Sequence, residues 1–182
     1  VYPKGSIFPC QTIHAADLLC RMGYANDTRL QKTFRHLLYT QYRDGGWRCE
    51  KYFFGRGPET KYSNPHPTLT ALSTFCFSDY LNNEPALDRA VDFLLEHWTI
   101  RKPIGPCHYG IGTLFMQVEY PIRNHTLFVY VYVLSFYNRA KEDKRFLEAL
   151  ETLESKMLDG LDRGRACCPE AGWAYFLQKR AA

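Results

Sequence analysis

The chain has 182 residues, 46% of them hydrophobic and 15% aromatic, with a formal net charge of +4. That length and apolar content suit one domain with a buried core, and exclude a disordered chain or two full domains. Acids and bases are mixed with no block of one sign, so neither a nucleic-acid footprint nor a membrane-surface patch is expected.

Seven cysteines (Cys10, Cys20, Cys49, Cys76, Cys107, Cys167 and Cys168) are odd in number and irregularly spaced. Several lie in apolar stretches, which predicts buried, reduced thiols and a cytoplasmic setting. The longest apolar run, 127–136, is too short for a transmembrane span and contains Tyr130, Tyr132 and Ser135. No signal peptide is read, and Val1 in place of Met fits a mature or truncated chain.

In chain order, the apolar residues Ile13, Ala16, Leu19, Cys20 and Met22 predict a helix over 10–24, apolar on most sides as an enclosed helix must be. Asn26-Asp27 breaks it and caps a second helix over 28–43, whose Leu30, Phe34 and Leu37 form one stripe. The layout returns at 66–82, again apolar, followed by Asn83-Glu84-Pro85 and an amphipathic helix over 85–98 carrying Leu87, Val91 and Leu94. A third round covers 125–140 and 143–158, with Phe146, Leu150 and Leu153 in the same stripe. The stripes are offset by 57 and 59 positions, and the openings Cys10, His66 and His125 by 56 and 59. The expected fold is therefore all-α: three helical-hairpin repeats over residues 1–160, each an enclosed helix, a turn and an outer helix, with negligible strand.

Two long connections, Asp44–Asn64 and Thr99–Arg123, join the pairs and are rich in Gly, Pro and aromatics. Residues 161–182 repeat none of the landmarks and form a tail. Within it Glu170–Lys179 is expected to make a short helix whose Trp173, Phe176 and Leu177 cap the last repeat.

The first pair ends Gln41-Tyr42-Arg43-Asp44-Gly45-Gly46-Trp47. This is similar to the QW motif of triterpene (squalene) cyclases and to the Gly-Gly-aromatic turn of protein prenyltransferase beta subunits. Trp98 and Asp159-Gly160 stand at the corresponding places in the later pairs, where the motif is degenerate. The resemblance covers about residues 8–160 and implies an α/α toroid, of which three pairs make a partial ring, with an apolar cavity for an isoprenoid inside the inner helices. It also implies that the motif is structural, tying neighbouring pairs together.

The catalytic signatures of that superfamily are missing. There is no Asp-x-Asp-Asp run to protonate an alkene, no paired acids for magnesium and diphosphate, and no Asp-x-Cys zinc pair. Repeat equivalence places Cys10, His66 and His125 on one rim, and these are zinc-ligand types, so zinc there is weighed against simple capping and packing. Cys107-His108-Tyr109-Gly110 is similar to the Cys-His-Gly zinc motif of lanthionine cyclases, with Cys49 or Cys167 as partner, and is weighed against a plain loop plug. Arg56 and Lys61 could grip a diphosphate but follow no phosphate-loop pattern. The aromatics, Tyr109 and Tyr132 among them, either pack or line a cavity able to hold an isoprenoid cation. His66, His125, Tyr109 and Tyr132 are the expected ligand-binding set.

Two functions follow as expectations. One is a non-catalytic helical-repeat module that binds an apolar small molecule or a protein partner on its concave face. The alternative is an enzyme, or enzyme fragment, that transfers or cyclises an isoprenoid with or without zinc. Homo-oligomerisation is left open.

Overall fold

The computed structural model describes residues 9–48, 62–102, 110–117 and 125–162. Their regular elements are all helices, with no strand among them. The elements are α1 (Pro9–Leu19), α2 (Thr28–Thr40), α3 (Pro65–Phe75), α4 (Pro85–Ile100), α5 (Leu127–Leu134), α6 (Asn138–Lys141) and α7 (Lys144–Asp162). A wider π-helical turn over Cys20–Tyr24 prolongs α1 and kinks at Gly23, whose φ of +92° only glycine adopts cheaply.

The helix starts follow from side chains that satisfy free backbone N–H groups. Asp27 accepts from the Arg29 amide before α2, Glu84 from Ala86 before α4, Thr126 from Val129 before α5, and Asp143 from Arg145 before α7. Pro65 and Pro85 sit at the first helical position of α3 and α4, where a missing N–H costs nothing.

Burial then decides the layering. α3 is covered on nearly every side: Pro65 and Pro67–Phe75 are all buried, and only His66 is partly open. It packs against α1 on one flank, α5 on the other and α4 behind. α7 packs on both α5 and α4. The outer helices present one apolar stripe each, as their charge pattern requires: Leu30, Phe34 and Leu37 from α2, and Phe146, Ala149, Leu150 and Leu153 from α7. Full burial of Leu69, Leu72 and Phe75 contributes roughly 1.5–3 kcal/mol each from area removed from water. Two phenols close the layers: Tyr137 donates to the Leu72 carbonyl at 2.6 Å and Tyr130 to the Leu94 carbonyl at 2.9 Å.

Several boundaries differ from the sequence expectation. The helix expected over 66–82 stops at Phe75, because Ser78 Oγ takes the Phe75 carbonyl and tight turns carry the chain to Glu84. The helix expected over 125–140 splits at Ser135, whose hydroxyl donates to the Tyr132 carbonyl at 2.7 Å. α2 ends at Thr40 and not at 43, since Gln41 leaves in an extended conformation. α7 runs through Gly160 to Asp162, so Asp159-Gly160 is no helix stop. α1 is not enclosed: Leu18, Leu19, Met22 and Tyr24 are exposed on its outer edge. The tail beyond 162, with Trp173, Phe176 and Leu177, lies outside the described residues.

The joint at Gln41–Trp47 is a bonded corner. Gln41 Nε2 donates to the carbonyls of Gly45 (2.6 Å) and Ala86 (2.7 Å), the latter in the first turn of α4. Trp47 Nε1 donates to the Leu37 carbonyl at 2.9 Å, its amide donates to Thr68 Oγ1, and its ring stacks on Phe75. Asp44 receives the Ser63 amide and hydroxyl. Gly45 has φ +92°, and a Cβ there would collide with the Arg89 carbonyl.

A second corner links the α3–α4 turn to the α5–α6 turn. Asn82, at φ +58°, donates to the Phe136 carbonyl at 2.9 Å and accepts from the Asn138 amide at 2.8 Å. Asn82→Ala is expected to lower stability by about 1–2 kcal/mol, from the lost bonds and the disfavoured φ, read as a shift of the urea midpoint.

Candidate functional site

Two features meet at the C-terminal end of α4. The first is a chain of four histidines, three on helices and one, His125, just before α5. His14 of α1 faces His66 of α3 with ring centroids 5.1 Å apart; His66 faces His125 at 5.8 Å; His125 faces His97 of α4 at 6.1 Å. Phe115 packs on His125 at 4.9 Å. His97 and His125 are buried, and burial, aided by the neighbouring His14, pushes the His66 imidazole down to about 4.

The expected pair His66 and His125 is thus brought together. Cys10 lies one turn before His14 on α1, so the residue that reaches His66 is His14. Among the described residues no three His, Cys, Asp or Glu side chains stand so as to hold a metal ion, the set Cys10, His66 and His125 included. Tyr132 does not join the chain. It sits further along α5, stacked on Phe128 at 6.2 Å and edge-on to Phe136 at 5.2 Å. Tyr109, Cys49, Arg56, Lys61, Cys107, His108 and Cys167 lie outside the described residues.

The second feature is a groove of about 730 Å³ walled by α4 and by residues at the ends of both long connections. Phe93, Ile100 and Tyr62 give it an apolar floor, with Ile100 40% and Tyr62 50% exposed, and His97 joins that floor to the histidine chain. The rim is charged. Arg139 pairs with Asp92 at 2.8 Å and Arg145 with Glu96 at 3.3 Å, while Arg89 donates to Gln41. Arg43 and Lys102 line the rim as well. The groove lies beside the long connections, and its wall is the outer helix α4 and not the enclosed helices.

On the inner helices the polar side chains bond one another. Arg21 donates to Asp17 (2.8 Å) and to Ser73 (2.8 Å), and Ser73 donates to Asp17 (2.7 Å), pinning α1 to α3. Burial, then the Asp17 charge, pushes the Cys20 thiol up to about 11, and burial pushes Cys76 up to about 12. Both stay protonated at neutral pH and serve as apolar filler. His14 and His97 escaped the sequence reading because neither holds a repeat-equivalent place; the one available signal for His97 was its position in the last turn of α4, next to a long connection.

No protein-family model, no curated protein and no solved structure matches this chain. Among the described residues, no helix is long and apolar enough to cross a membrane.

Proposed function

We propose that the chain is a non-catalytic helical-repeat module, a partial α/α toroid like those of prenyltransferases and terpene cyclases, that binds an apolar ligand in the α4 groove. The observation that carries this reading is the open apolar floor of Ile100, Tyr62 and Phe93 under a charged rim, the usual form of a small-ligand site. The side-by-side packing of α1, α3 and α5, and the bonded Gln41–Trp47 corner, support the repeat arrangement. The non-catalytic part is supported by how seven of the described acids are engaged. Asp27, Glu84 and Asp143 cap helices, Asp44 holds Ser63, Asp17 is locked to Arg21 and Ser73, and Asp92 and Glu96 pair with arginines.

Titration of the 15N-labelled chain with decanol tests it. Amide shifts are expected around Tyr62, Phe93, His97 and Ile100, and Ile100→Asp should weaken binding about tenfold by placing a charge on the floor. No shifts there would sink the groove. Turnover of an isoprenyl diphosphate by the same preparation would favour the enzyme alternative and end the non-catalytic reading.

A further inference from the structure

The rim of the groove is unbalanced. Five basic side chains line it (Arg43, Arg89, Lys102, Arg139 and Arg145) against three acids (Asp44, Asp92 and Glu96). The acids are occupied: Asp92 by Arg139, Glu96 by Arg145, and Asp44 by the amide and hydroxyl of Ser63. Arg43 and Lys102 have no acidic partner among the described residues, and both are exposed. One stands in the Gln41–Trp47 corner and the other just past the end of α4, so they belong to the two segments that frame the groove. Ile100, Phe93 and Tyr62 line the same groove and offer no charge.

An uncharged hydrocarbon would bury the floor and leave two cations facing an emptied rim. A cationic amphiphile would meet repulsion there. Only a ligand with an apolar body and an anionic head satisfies both levels, the body covering Ile100 and Tyr62 while the head takes charge-assisted hydrogen bonds from Arg43 and Lys102. We propose that the groove selects amphipathic anions, a single apolar chain or ring system ending in a carboxylate or sulfonate. This rests on the reading of the groove as a ligand site and adds the charge of its ligand.

The test compares decanoate, decanol and decylammonium against the full chain by calorimetry and amide shifts at neutral pH and low salt, below micelle formation. Decanoate is expected to bind at least tenfold tighter than decanol, with decylammonium weakest. The doubly reversed variant Arg43→Glu, Lys102→Glu should abolish the preference for decanoate over decanol. Decanol binding as tightly as decanoate, or a preference that survives in that variant, would overturn the inference and leave the groove reading standing. No binding of any of the three at the groove would remove both. Lys102→Gln provides a second arm: it should lose part of the preference for decanoate, and an unaltered ratio counts against the proposal.

Discussion

Trp47→Ala is expected to lower the unfolding free energy by about 3–5 kcal/mol. The ring is 2% exposed, stacks on Phe75 and donates its indole N–H to the Leu37 carbonyl. Removing it opens a void where α2, α3 and the corner meet, and leaves the Leu37 carbonyl with the 3.2 Å bond from Thr40 Oγ1 alone. Trp47→Phe keeps most of the volume and should cost about 0.5–1.5 kcal/mol, the part owed to the lost indole hydrogen bond. Gly45→Ala attacks the same corner through the backbone: φ is +92° and the new Cβ meets the Arg89 carbonyl, so a loss of about 2 kcal/mol or more is expected. Urea midpoints with an unchanged m-value measure all three. A Trp47→Ala midpoint within about 0.5 kcal/mol of the parent would mean that the corner does not join the helices it touches.

Acidification from pH 6.5 to 4.5 is expected to weaken the fold, and His66 is expected to account for much of that slope. Its imidazole is held down to about 4 by burial, and next by the neighbouring His14, from an ordinary value of 6.5. Between those values the unfolded chain holds a proton that the folded chain refuses, so stability is complete above 6.5 and is lost as pH falls toward 4. The interval is 6.5 − 4 = 2.5 units, which at about 1.4 kcal/mol per unit sets an upper bound of roughly 3.5 kcal/mol. Carboxylates enter later: hydrogen bonds from Arg29 hold Asp27 down to about 2, and those from Arg145 lower Asp143. Their loss falls below the window. His66→Leu should therefore flatten the stability–pH curve between 6.5 and 4.5, and equal slopes in parent and variant would assign the effect elsewhere.

The helices were legible because their signals are local. Apolar stripes at spacing four and three, capping acids and N-terminal prolines each act within a few residues, and Asp27, Pro65, Pro85 and Asp143 mark the observed starts. Their ends were less legible. Ser78 and Ser135 divert backbone carbonyls with their own hydroxyls, a choice that an apolar pattern running through Tyr80 or Tyr137 does not reveal. The histidine chain was half legible: His66 and His125 share a repeat position, whereas His14 and His97 reach them through packing between helices distant in sequence. The groove left no periodic trace, since Arg43, Tyr62 and Lys102 belong to irregular segments and meet only after α4 is in place.

The enclosure of α3 governs how the molecule can open. Its amides have no route to solvent that leaves α1, α4 and α5 where they are, because those helices cover it on both flanks and behind. Hydrogen exchange in α3 then requires the whole packed unit to come apart, and its slowest amides report the global free energy of unfolding. The outer edge of α1, with Leu18 and Met22 in water, carries no such requirement and exchanges through local fraying. The protein is thus graded from edge to centre: the exposed outer edge of α1 exchanges first, while α3 yields only when its neighbours part.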